Sequence, residues 1–170
     1  MQKRIFHLTL LIMAIGLFGM GCQAKAPKGK LTYCSYTCFE TASVSKNYCE
    51  LIAEPGAEPR VSVVLGEGNR FGDPEIRAEY PVTAEEMQPL VDWLAANKVY
   101  KLNGYNHNNE PISGGSSERI EMRYDSGEQV MAFWYGNKIK RQAIDAYNYL
   151  YSFFAPWRDR AVKESKSATE

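Results

Sequence analysis

The sequence predicts an α+β fold, an antiparallel meander sheet with two main helices packed on one face. Three observations lead there. Residues 31–80 are rich in Tyr, Thr, Cys and Val and are cut by clusters of Pro and Gly. The character changes at Thr83, where a helix-start signal precedes apolar residues at helical spacing. Residues 118–135 then alternate around Asp125-Ser126-Gly127, and a second helical pattern follows.

Taken in order, residues 31–40 read as a first strand and 41–47 as a polar connection. Residues 48–52 form a second, short strand, and Glu54-Pro55-Gly56-Ala57-Glu58-Pro59 is a turn by its Pro and Gly content. The β-branched run 60–65 is a third strand, ended by Gly66-Glu67-Gly68-Asn69, and 74–80 make a fourth. Thr83 and Glu86 have the spacing of a capping box, in which a hydroxyl and a carboxylate satisfy free amides at a helix start. Met87, Leu90, Val91 and Leu94 follow on one helical face, and Pro89 starts or kinks the helix because it lacks an amide hydrogen. The helix ends by residues 97–102. A long polar loop, 103–117, leads into the hairpin.

In that hairpin Ile120, Met122 and Tyr124 on one strand, and Val130, Ala132 and Trp134 on the other, face the core. Asn137 is the expected cap of a helix over 138–154, with a core stripe of Ala143, Ile144, Tyr147, Leu150, Tyr151 and Phe154. Pro156 interrupts it, a short helical piece follows, and 161–170 reads as a frayed tail. The domain organisation is therefore a removable segment 1–21, a flexible tether 22–30, one domain 31–160 and the tail.

Composition narrows the function classes. The 170 residues carry 20 basic and 20 acidic side chains. Loss of residues 1–21 removes Lys3 and Arg4 and no acid, leaving a net charge of −2. No basic stripe of the kind nucleic-acid binding needs is visible, so no nucleic-acid partner is expected. Aromatic residues are plentiful, which excludes a disordered composition.

The N-terminus addresses the chain. Lys3 and Arg4 precede an almost wholly apolar run, 8–20, which is short of the ~18 or more residues that a bilayer span wants. Leu17-Phe18-Gly19-Met20-Gly21-Cys22 closes it. This end resembles the lipobox of bacterial lipoproteins, a likeness confined to residues 1–22. It implies a diacylglyceryl group on Cys22, which becomes the mature N-terminus. An ordinary cleaved signal, with Cys22 a plain thiol, is the alternative. Several acyl chains hold a protein durably where one is marginal, each buried methylene contributing ~0.8 kcal/mol. The membrane is then a partner through the lipid. Gln23 lacks the aspartate of inner-membrane retention, which implies the outer membrane, facing the periplasm, in a Gram-negative host. Residues 117–154 also resemble the C-terminal half of uncharacterised bacterial lipoprotein domains, which bring no active site with them.

Cys34, Cys38 and Cys49 remain. In an exported domain one disulfide and one spare thiol are expected. On an extended strand Cys34 and Cys38 lie about 13 Å apart at ~3.3 Å per residue, beyond the ~7 Å that a bridge spans. A hairpin centred between Ser43 and Val44 sets Cys38 opposite Cys49; a centre two residues earlier sets Cys34 there instead. Cys38–Cys49 is the favoured pair, with Cys34 the alternative partner, and closing that loop contributes ~3 kcal/mol.

A thiol or metal protein using Cys34, Cys38 and Cys49, with His107 as a fourth ligand, is a second functional reading. The spacing contains neither Cys-x-x-Cys nor a paired-His motif, so no metal or other cofactor is expected. An envelope hydrolase is a third. Ser113, Ser116 and Ser117 lie near His107, but without a Gly-x-Ser-x-Gly elbow. Glu110, Glu118 and Glu121 are ordinary strand and loop acids, and Gly66-Glu67-Gly68 matches neither a P-loop nor a dinucleotide fingerprint. No catalytic residue is assigned, and a non-enzyme is expected. What remains is a lipid-anchored envelope protein that binds or assembles, its partner an envelope protein or a glycan. Tyr105 and His107 in the polar loop, and the stripe Tyr149, Phe153 and Trp157, are its candidate binding surface. The plainer reading of that stripe is a wide core face.

Overall fold

Seven strands form one sheet in the computed structural model, which describes residues 25–40, 45–66, 75–108 and 115–168. The strands are β1 Leu31–Glu40, β2 Ser45–Ile52, β3 Arg60–Gly66, β4 Glu75–Pro81, β5 Asn106–Asn108, β6 Ser116–Tyr124 and β7 Gln129–Tyr135. Their order is β4-β3-β2-β1-β6-β7-β5, and all pairings are antiparallel except β5 with β7. Among the described residues three helices complete the mixed fold: α1 Ala84–Ala96, α2 Arg141–Phe153 and α3 Ala155–Ser167. A 3-10 turn, Val99–Leu102, follows α1. Among the described residues no helix is long and apolar enough to cross a membrane.

The four-strand meander and the β6–β7 hairpin follow the local signals. Gly127 holds the hairpin turn at φ +82°, a conformation open to glycine, and its amide donates to the Tyr124 carbonyl (2.9 Å). Thr83 caps α1 as expected: its hydroxyl accepts from the Glu86 amide, and the Glu86 carboxylate accepts from the Thr83 amide. Pro89 sits inside α1 without ending it.

Several expectations are corrected. β2 begins at Ser45, so the connection after β1 is shorter than the polar run 41–47. Its register sets Tyr36 opposite Cys49, midway between the two alternatives, with Cys38 opposite Asn47 and Cys34 opposite Leu51. Cys49 is thus diagonal to both other cysteines, and diagonal neighbours lie ~7–8 Å apart, at or beyond bridging range. Cys34, Cys38 and Cys49 are accordingly free and buried, and the Cys38–Cys49 bond is absent.

The loop 103–117 is partly strand: β5 lies in it, and Ser116 and Ser117 open β6. Asn137 does not cap α2. Lys138 stands at φ +58°, outside right-handed helix, and the helix starts at Arg141 with Lys140 as its cap residue. The α2 core face is Ala143, Ala146, Leu150 and the following Phe154, while Ile144 and Tyr151 are exposed. Pro156, finally, lies in the first turn of α3, where a missing amide hydrogen costs nothing. That helix continues to Ser167 and buries Arg158 and Ala161, so 161–167 is not a frayed tail.

The core joins sheet to helices around Tyr36. Its ring meets those of Tyr147, Tyr151 and Phe154 at centroid distances of 5.8, 6.0 and 5.7 Å. Ile120, Met122, Leu51, Val61 and Val63 from the strands, and Leu90, Leu102 and Leu150 from the helical segments, are fully buried beside it.

Candidate functional site

Strand alternation gives the sheet a second set of side chains, on the face away from Tyr36. The pairings align them in rows. One runs Val64, Tyr48, Thr37, Arg119, Phe133; the next runs Ser62, Glu50, Ser35, Glu121, Met131. On β7 this face is exposed at Gln129, Met131 and Phe133, while Val130, Ala132 and Trp134 on the opposite face are buried. Phe39 (39 %), Met131 (43 %) and Phe133 (36 %) are the large exposed apolar groups here.

Charge is fixed beside them. Glu121 is 8 % exposed and accepts from Arg119 (2.8 Å) and Arg123 (2.7 Å), one arginine on each side along β6. The Arg123 guanidinium lies 4.4 Å from the centre of the Tyr33 ring, whose hydroxyl meets that of Tyr48 at 2.8 Å. Tyr48 in turn donates to Glu50. Burial pushes the Tyr33 and Tyr48 hydroxyls up, so both stay protonated and act as donors. Held arginines, tyrosines and exposed apolar groups thus share one face of the sheet.

A concavity lies where the N-terminal segment meets α1. It encloses about 560 Å³, and its lining includes Ala26, Pro27, Leu31, Met87, Val91, Leu94, Tyr100 and Tyr124. Of the flexible tether expected over 22–30, the described residues 25–30 are instead strapped to the β6–β7 turn. The Lys28 amide donates to Glu128 (2.7 Å), and the Lys30 amide to Asp125 (2.8 Å). The Asp125 amide returns a bond to the Lys30 carbonyl (3.0 Å). Gly29 permits this approach, since a Cβ there would stand 2.2 Å from Asp125 Oδ1 and 2.6 Å from the Ser126 amide nitrogen.

The expected binding residues are spent largely on packing. Tyr149 stacks on Trp93 (4.1 Å, 4°), donates to the Pro89 carbonyl (2.9 Å) and so ties α2 to α1. Phe153 lies against Phe154 and Trp157, and all three stripe residues are half-buried against the core. The Tyr105 hydroxyl accepts from the Lys140 amide (3.0 Å), and His107 Nε2 donates to the Asn137 carbonyl (2.9 Å). The stripe therefore follows the wide-core reading.

Glu118 and Glu121, three apart on β6, point to opposite faces. Glu118 is bonded by Ser116, and its pKa is raised by burial. Ser117 shares a row with Phe39 and Tyr135 on the outward face. Cys22, Ser113 and Glu110 lie outside the described residues, as do positions 67 and 68 of the glycine-flanked run after β3. Cys34 and Cys49 are wholly buried, and burial pushes their thiols up to about 12 and about 11. Cys38 is raised for the same reason. Thiols held protonated are poor nucleophiles and ligands, and among the described residues no His, Cys, Asp and Glu group could hold a metal ion.

The outward face of β7 was missed in the sequence, although its signal was present. Val130-Met131-Ala132-Phe133-Trp134 is a continuous apolar run, which marks a strand with apolar groups on both faces. No protein-family model matches the chain, and comparison with curated proteins finds no significant match.

Proposed function

We propose that this is a lipid-anchored protein of the bacterial cell envelope whose domain works by binding another envelope protein, not by catalysis. Anchorage rests on the apolar run 8–20 and on Gly19-Met20-Gly21-Cys22 after it. The observation that carries the binding role is the outward sheet face. In this reading the three helices cover the Tyr36 face and leave Phe39, Met131 and Phe133 exposed beside the Arg119–Glu121–Arg123 group. Contact surfaces are enriched in aromatic residues, Met and Arg, and a preformed sheet loses little entropy on docking.

The test places a photoreactive amino acid at position 133, and separately at exposed position 144 on α2, in cells making the full chain. A discrete protein adduct at 133, absent at 144, together with a lipid mass on Cys22, is the expected result. Carbohydrate at 133 would replace the protein partner with a glycan. Equal adducts at both positions would remove the sheet face from consideration, and an unmodified Cys22 would remove the anchor.

A further inference from the structure

We infer that the apolar cavity between residues 26–31 and α1 receives an acyl chain of the protein's own Cys22 lipid, an inference that rests on the anchored reading above. The cavity is a size common for small-molecule sites, roughly 300–1,000 Å³, and Met87, Val91, Leu94 and Leu31 give it an apolar wall. Its other wall is the N-terminal segment itself, at Ala26 and Pro27.

Chain length selects the occupant. Three residues lie between Cys22 and Ala26, so the Cα of the lipidated residue is at most about 14 Å from that of Ala26 at the cavity rim, at ~3.3–3.6 Å per residue. The strap bonds at Lys28 and Lys30 hold that rim in place, so the lipid is tethered at the mouth at high effective concentration. A free fatty acid in solution has no such tether. Lys30 lines the mouth and exposed Lys25 adjoins Ala26, while Lys28 is set against Glu128; the first two suit anionic headgroups, which sets this end of the domain toward the bilayer. A chain folded into the cavity draws the domain down onto the membrane surface.

The experiment feeds producing cells a diazirine-bearing fatty acid, which enters the Cys22 lipid, and irradiates the purified full-length protein in phospholipid nanodiscs. The expected product is a crosslink within one chain, from the Cys22 lipid to the peptide that contains Met87 and Val91. Val91→Glu, or Met87→Lys should the first variant not fold, lowers its yield at least tenfold with the Cys22 mass unchanged. A lipid mass on Cys22 with crosslinks to phospholipid alone overturns the inference and leaves the anchor standing. Cys22 without lipid overturns both.

Discussion

Arg158 Nη1 donates to the buried hydroxyl of Tyr36 (2.8 Å), tying α3 to the central strand β1 across 122 positions of sequence. Arg158 is 7 % exposed and has no ion pair with a carboxylate among the described residues. Its charge is met by the Tyr36 hydroxyl, by the Tyr151 carbonyl (2.9 Å) and by the Tyr151 ring, 3.5 Å from the guanidinium. A charge held this way depends on every partner. Tyr36→Phe leaves Nη1 without its acceptor and is expected to lower stability by about 1–3 kcal/mol. Adding Arg158→Met removes the orphaned charge and should recover much of that loss. Urea midpoints of the two single variants and the double variant measure the coupling.

The β1–β2 register makes a prediction about thiols. With Cys22→Ser in place, the native protein should show no thiol reactive toward a water-soluble disulfide reagent, because Cys34, Cys38 and Cys49 are buried. Unfolding in denaturant without reductant should release three. A count of one would mean that a bridge had formed and that the strands pair in one of the registers first considered.

Those same thiols set an alkaline limit. Unfolded cysteine ionises near ~8.5, whereas folded Cys49 and Cys34 ionise at about 11 and about 12. Between those values the folded chain holds more protons than the unfolded one, so stability falls as pH rises. Their contribution is fully present below the unfolded value and is lost as pH climbs through the folded ones. The slope is roughly 1 kcal/mol per pH unit for each thiol. Chemical denaturation between pH 8 and pH 11 measures it. Cys34→Val should flatten the profile by about one thiol's share.

What was legible in the sequence was local, and what was hidden depended on partners. Thr83 and Glu86 cap α1 through atoms three residues apart, and Gly127 fixes its turn alone, so both could be read from the chain. The β1–β2 register could not. The alternatives differ by two-residue steps, each keeping Cys34, Tyr36 and Cys38 on the core face, and alternation does not distinguish them. Pro156 looked like a break because its place in the first turn of α3 shows only once Phe154 is known to end α2. Tyr149, Phe153 and Trp157 looked like a surface because Trp93, the ring that Tyr149 stacks on, is 56 residues away in sequence. The strap over 25–30 lay hidden because Ala, Lys, Pro and Gly compose both linkers and docked segments.

That strap supplies the last prediction. Gly29→Ala puts a methyl group into Asp125 Oδ1 and the Ser126 amide nitrogen, at 2.2 and 2.6 Å, so the segment must lift from the β6–β7 turn. The amide bonds of Lys28 to Glu128 and of Lys30 to Asp125 go with it. Each is worth ~0.5–1.5 kcal/mol net. Hydrogen exchange at those two amides should therefore speed up about tenfold. The strap's amide bonds go to Asp125 and Glu128 at the β6–β7 turn, so amides of β1 and β6 near Tyr36 and Ile120 should keep their protection. Loss of protection throughout the sheet would show instead that the strap is part of the folding unit. Unchanged exchange at Lys28 and Lys30 would show that Gly29 does not need its close approach.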